Sequence, residues 1–387
     1  MTPAARVAAA IGVLDNCLSG MPVEKALLRW SRASRFAGSK DRAAVRDHVF
    51  DGWRRRRSAA HAGGAETGRG IMIGLLRQQG VEPETLFTGR DHAPAVLDAH
   101  EMHLPAEPAA PAVAHDLPDW LWDCFLEDLG EAGPDAAQAL RDRAPVFLRV
   151  NPRRGDQAAA IASLAADGVE AVAHRDVADA LQVVSGGRAV ARSRAYADGL
   201  VELQDAASQA AMLRLPLRDG QRVLDFCAGG GGKALALAAR ARIEVAAHDA
   251  NPTRMHDIPA RAERAGVRID VIERVGERKA DLVLVDAPCS GSGTWRRDPD
   301  GKWRLDPAGL AALVALQAEI LDHAAVSVAA DGILAYATCS VLRAENDAQA
   351  ETFLRRNPGW RLADRAQWLP GPNGDGFFLV RFERTPT

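Results

Sequence analysis

Four consecutive glycines, Gly229 to Gly232, stand directly after the apolar run VLDFCA and directly before KALALAA. Glycine gains nothing from side-chain packing and loses the most conformational freedom in a regular element, so the run reads as strand, tight turn, helix. The pattern then repeats. QRVLDFCA, IEVAAHDAN, RIDVIER, ADLVLVDAPCS and GILAYATCS are short apolar stretches separated by helical or loop segments. Strands alternating with helices predict an α/β domain built on a doubly wound, mostly parallel, Rossmann-like sheet. Ligands of such sheets lie beyond the carboxyl ends of the strands, which is where the polar motifs of this chain fall.

The remaining sequence divides differently. A chain of 387 residues suits two or three cores. Apolar residues recur at helical spacing from residue 4 to about 57, which predicts an all-helical domain over 1–115. The prolines of EMHLPAEPAAPAVAHDLPDW mark a linker near its end. Residues 116–203 read as a linker helix, capped by the Asp before Pro118, and a small α+β module; the sheet domain takes 204–387. Every long apolar run is cut by a charge, as LVALQAEILDHAAVSVAADGILAYATC is at Glu319, Asp322 and Asp331, so no membrane span is expected and a cytoplasmic protein is. Five cysteines, at 17, 124, 227, 289 and 339, form no CxxC pair and no metal-ligand spacing, which predicts reduced thiols and no metal. Residues 1–57 carry twelve Lys and Arg against five Asp and Glu, including WRRRR at 53–57, a composition suited to a polyanion or to a solvated helix face.

Spacing narrows the ligand of the glycine loop. A phosphate-binding GxxxxGK[ST] loop would need glycine where Cys227 stands and Ser or Thr where Ala234 stands, which disfavours a nucleoside triphosphate. Gly229, Gly231 and Ala234 satisfy GxGxx(G/A), and Asp249 ends the second strand where a carboxylate can accept from ribose hydroxyls. Both NAD and S-adenosylmethionine carry that ribose. No His or Tyr-Lys constellation supports hydride transfer. Two thiols instead follow the ends of two strands, Cys289 in VLVDAPCSGSG and, later in the chain, Cys339 in LAYATCSVL, on one rim of the sheet beside Asp286.

DFCAGGGGK, VDAPCSGSGTWRRDPDGKW, YATCSVL followed by EN, and GDGFF occur in the order seen in the RNA cytosine-5 methyltransferases, and the chain resembles the RsmB (Sun) branch of that family over roughly residues 116–387. The front segment RFAGSKDRAAVRDHVFDGWRR resembles the NusB-like RNA-binding domain of that branch. Two departures stand out: the family has Ala-Pro where Gly229 and Gly230 stand, which predicts a more flexible loop, and Asp270 and Glu273 are the nearest stand-ins for its acidic residue beside the adenine.

The resemblance implies a monomeric enzyme that methylates carbon 5 of an RNA cytosine, in small-subunit ribosomal RNA, through a covalent cysteine adduct. A tRNA-directed enzyme and a catalytically idle RNA-binding scaffold are the alternatives. Spacing alone does not say which cysteine attacks; the resemblance makes Cys339 the nucleophile and Cys289 the thiol that helps resolve the adduct. It also places Asp286 on the cytosine and Lys233 between cofactor and base. Cys227, Ala228, Gly229, Gly230, Gly231, Gly232, Lys233, Asp249 and Asp286 are the implied S-adenosylmethionine contacts. TWRRDPDGKWRLD, broken by Pro299 and Gly301, is expected to be a loop whose Arg296, Arg297, Lys302, Arg304, Trp295 and Trp303 suit RNA.

Overall fold

The computed structural model describes residues 1–103 and 108–385. The chain forms two compact units, one of residues 1–143 with 295–304, the other of 144–294 with 305–387.

The first unit is helical. Its main helices are α1 (Pro3–Leu18), α2 (Val23–Ala33), α3 (Ser39–Arg54), α4 (Arg56–Gly63) and α5 (Gly68–Gln78). Val7, Leu14, Val45, Val49, Trp53, Ile71 and Leu75 close its core. The linker expected over 101–120 falls partly on residues 104–107, which lie outside the described residues; a short helix, Pro111–Ala114, follows. Asp116 does not cap the next helix, which starts at Asp119 with Pro118 at its N-cap. Asp116 is fully buried instead, accepting from Ser58 N (2.8 Å), Ser58 Oγ (2.7 Å) and Arg141 Nε (2.7 Å).

Two basic segments differ from expectation because several of their charges are used inside the unit. In WRRRR, Arg54, Arg55, Arg56 and Arg57 pair with Asp51, Asp142, Glu66 and Asp119. Residues 299–304 form a helix rather than a loop, with Trp295, Arg296 and Lys302 no more than 2% exposed. Asp300 accepts from Val23 N and Trp53 Nε1, Lys302 donates to Arg54 O, and Trp295 stacks on Phe125. Burial pushes the Lys302 ammonium down to about 7. Arg297 and Arg304 of this segment stay exposed, and the other cluster of surface cations is on α2, where Lys25, Arg29 and Arg32 share one face, followed by Arg35 and Lys40.

The second unit holds two sheets. The smaller comprises β1 (Val146–Val150), β2 (Glu170–Ala173), β3 (Ala180–Ser185) and β4 (Val201–Leu203), antiparallel in the order β2-β3-β1-β4. The larger comprises β5 (Arg222–Asp225), β6 (Glu244–Ala247), β7 (Ile269–Val271), β8 (Ala280–Asp286), β9 (Val328–Thr338), β10 (Trp360–Trp368) and β11 (Phe377–Arg384), ordered β10-β11-β9-β8-β5-β6-β7. β5 to β9 pair in parallel, as the doubly wound reading expects, and β11 and β10 add an antiparallel edge. Leu282 to Val285 and Leu334 to Ala337 are wholly buried, because parallel strands are covered on both faces.

The helix Pro307–Val326 is long and apolar enough, by length and composition, to cross a membrane, although the charges in its run argued against a span. Here it packs Leu321, Ala324 and Ala325 against Val283, Val285 and Leu334 of the sheet.

Candidate active site

Order reversal in the large sheet opens a crevice between β5 and β8, and the site is built there. β5 ends at Asp225, and the chain turns through Cys227 to Gly231 into the helix Gly232–Arg240. Gly231 sits at φ +77°, and a Cβ there would lie 2.8 Å from Ile258 Cγ1, so both the backbone and the packing require glycine. The loop is tied down rather than loose. Asp249, 4% exposed, accepts from Gly229 N (2.9 Å) and Asn251 N (2.9 Å) and pairs with Arg254 (3.1 Å), and Arg261 donates to Gly230 O. A Cβ on Gly230 would meet Arg261 Nη1 at 3.0 Å, so the missing side chain leaves room for this guanidinium.

The two thiols arrive by strand register. Asp286 on β8 pairs with Ala337 on β9, so the chain leaves both strands at the same level three and two residues before the cysteines. Cys289 Sγ and Cys339 Sγ lie 3.4 Å apart. The turn after Cys289 docks by Gly293 N donating to Cys339 O (2.9 Å), and Gly376 N donates to Gly293 O (2.9 Å). A Cβ on Gly376 would fall 2.6 Å from Gly293 Cα, which explains the glycine of GDGFF. Lys233 Nζ, on the first turn after the glycine loop, meets Asp286 Oδ2 at 2.5 Å.

A cavity of about 480 Å³ joins these parts, lined by Gln204, Asp205, Ser208, Cys227 to Gly230, Gly232, Lys233, Arg254, Arg261, Asp286 to Cys289 and Cys339. Asp249 stands behind the loop, and Asp270 and Glu273 do not line the cavity; Asp270 pairs with Arg268 (3.2 Å).

A family model described as 16S rRNA methyltransferase RsmB/F matches residues 212–382, and one described as an RsmF/B-like ferredoxin-like domain matches 117–190. Ribosomal RNA small subunit methyltransferase B of Klebsiella pneumoniae is 35% identical over 285 residues, and that of Salmonella arizonae 33% identical over 330 residues. The chain belongs to the RsmB/F rRNA methyltransferase family. Those alignments take in 68% and 81% of this chain, which spans 65% and 72% of the two relatives' lengths. The crystal structure of PH0851 shares the fold, with a TM-score of 0.77 at 23% identity over 99% of each chain.

RsmB/F enzymes use S-adenosylmethionine, and the crevice suits it. Buried Asp225, 1% exposed, ends β5 directly before the glycine loop and leaves its Oδ1 an acceptor without a hydrogen-bond partner among the described residues, just behind the cavity wall. Burial, reinforced by Asp286, pushes this carboxyl up to about 7. Sequence reading missed Asp225, because only its surroundings distinguish it from an ordinary strand-end carboxylate.

Electrostatics separates the two thiols. The Cys289 hydrogen bond holds Cys339 below the usual thiol range against the effect of burial, and Lys233 and Thr294 act in the same direction. Cys289 is pushed well above that range by its bond to Cys339, by burial and by the charge of Glu345. Cys227 is driven up to about 12 by burial and neighbouring carboxylates, which leaves it an inert wall of the cavity. Lys233 keeps its charge despite burial because of Asp286.

Proposed function

We propose that this chain methylates carbon 5 of a cytosine in small-subunit ribosomal RNA, with Cys339 as nucleophile. The observation that carries the reading is the pair of thiols 3.4 Å apart in the cavity that the glycine loop also lines, one biased toward thiolate and the other toward thiol.

Carbon 5 of cytosine is a weak nucleophile, and a thiolate bonded to carbon 6 converts the ring to an enamine. Cys339 forms that bond. Asp286 hydrogen-bonds the ring near N3 or the exocyclic amine, and Lys233 holds Asp286 in place at 2.5 Å. S-adenosylmethionine supplies the electrophilic methyl group. Bound at the glycine loop, it would give up that group to carbon 5 with loss of its methyl–sulfur bond; removal of the carbon 5 proton by a base and cleavage of the Cys339–carbon 6 bond then restore the aromatic ring. Cys289, protonated beside Cys339, assists that release. The test is to incubate the chain with unmodified 16S rRNA and methyl-labelled cofactor, digest the product and separate nucleosides. Label should co-migrate with 5-methylcytidine; label on another nucleoside would overturn the reading.

RNA contact by the helical unit is assigned to α2 and the turn after it, not to WRRRR. Lys25, Arg29, Arg32, Arg35 and Lys40 have no acidic partner among the described residues, and Phe36 beside them is 77% exposed. Cations around an exposed ring suit phosphate pairing and base stacking. Replacing Arg29, Arg32 and Arg35 by Ala should weaken rRNA binding and reduce the slope of log affinity against log salt by roughly 2. The same change at Arg55, Arg56 and Arg57 should instead lower thermal stability, and an unchanged salt slope in the α2 variant would refute the assignment.

A further inference from the structure

One carboxylate reaches the turns that follow both cysteines. Glu345, at 0% exposure, lies in the short 3-10 turn Arg343–Glu345 after β9. Its Oε1 accepts from Ser290 N (2.8 Å) and Gln317 Nε2 (3.0 Å), and its Oε2 accepts from Ser290 Oγ (2.5 Å) and Ser340 Oγ (2.5 Å). Ser290 follows Cys289 directly, and Ser340 follows Cys339 directly. The neighbouring contacts repeat the tie. Gln317 Nε2 also donates to Pro288 O (2.9 Å), Ser292 Oγ lies 2.8 Å from Ser340 Oγ, and Asn346 Nδ2 donates to Ser340 O (2.9 Å). Tyr336 OH fixes the carboxylate's own backbone by donating to Glu345 O (2.7 Å).

All four groups bound by the Glu345 side chain are donors, which suits an ionised carboxylate and leaves it no role as an acid toward them. It does not line the cavity, so it touches neither substrate nor cofactor. A buried charge with four charge-assisted bonds is a costly feature unless every bond is made. Three of the four bonds go to two serines 50 residues apart in sequence, each directly after a thiol, and the fourth goes to Gln317, which also holds Pro288 O.

We propose that Glu345 is a positioning residue that locks the Cys289 and Cys339 turns to each other and so sets the approach of the two sulfurs. This rests on reading both thiols as reactive. The hydrogen bond between them needs the sulfurs held near 3.4 Å, and separation of the turns by a fraction of that distance breaks it. Cys339 then loses the donor that holds it toward thiolate, while Lys233, Asp286 and Thr294, which also face it, keep their own anchors.

The experiment compares the full chain with Glu345→Gln, Glu345→Asp, Ser290→Ala, Ser340→Ala and the double serine variant. Three quantities are read: single-turnover methyl transfer to 16S rRNA, cofactor affinity by calorimetry, and the pH dependence of iodoacetamide alkylation at Cys339. Glu345→Gln should slow transfer by about 10²-fold, the scale of a small misplacement of reacting groups, with cofactor affinity within about twofold. Cys339 alkylation should shift to higher pH. Glu345→Asp, too short to reach both turns, should fall between Gln and the parent. Each serine variant should lose part of the rate, and the double variant should lose less than the product of the two, because both act through one carboxylate. Unchanged alkylation and transfer in Glu345→Gln would overturn the proposal, as would a parallel loss of cofactor affinity. If Glu345→Gln fails to fold, independent multiplicative losses in the serine variants, or none, would overturn it. Alkylation needs neither RNA nor methyl transfer, so a chain that modified a different nucleotide would leave this outcome readable on its own.

Discussion

Lys233→Met should lower the rate of methyl transfer at pH 7 by roughly 10²- to 10³-fold, as expected when a preorganised charge is removed from a water-poor site. The sign of its pH effect follows from the neighbours. Lys233 helps hold Cys339 below the usual thiol range, and Asp286 works in the opposite direction. Removing the ammonium takes away the favourable charge and leaves Asp286 unopposed, so the thiolate forms only at higher pH. The rising limb of the pH–rate profile should move up by about one to two units, since an opposite charge at this range shifts a thiol by that order. Adding Asp286→Asn to Lys233→Met should bring the limb part of the way back, although transfer stays slow without the Asp286 contact to the base. A limb that stays in place in Lys233→Met would show that the lysine does not act on the thiol.

Much of the large sheet is readable from residues alone because its central strands are covered on both faces. LVLV at 282–285 and LAYA at 334–337 admit no amphipathic reading, and the glycine run between strand and helix fixes the crevice. The edge hairpin is a different case. WRLADRAQW in β10 mixes exposed and half-buried positions, with a register shift between Leu362 and Asp364, so its alternation is blurred. Charge patterns mislead where the partner is distant in sequence. Lys302 and Arg296 carry the composition of an RNA-binding loop, yet they are buried against Arg54, more than 240 residues away. Nothing local to either segment reveals that pairing. Glu345 belongs to the same class: the EN that follows YATCSVL is visible, but its bonds to Ser290 depend on the parallel pairing of β8 and β9. Both cysteines, Asp286 and Lys233 stood out as candidates because each lies at or just after a strand end or on a first helical turn, although their meeting rests on the pairing of β5, β8 and β9.

The second large effect concerns the thiols themselves. A serine hydroxyl is a far weaker nucleophile than a thiolate at neutral pH, so Cys339→Ser should lose methyl transfer by at least about 10⁴-fold. Cys289→Ser should behave in another way. Its hydroxyl can still donate to Cys339, and attack and methyl transfer go forward, but release stalls without the second thiol. Methylated RNA should then accumulate bound to protein, with a turnover number near one per chain.

Covalent trapping reads the central claim most directly. Each variant is incubated with unmodified 16S rRNA and S-adenosylmethionine, then resolved by denaturing electrophoresis. Cys289→Ser should give a slow, denaturant-resistant protein–RNA band that ribonuclease removes, and Cys339→Ser should give none. A band from Cys339→Ser with none from Cys289→Ser would reverse the two roles, and full methylation by both variants with no adduct from either would contradict the covalent mechanism.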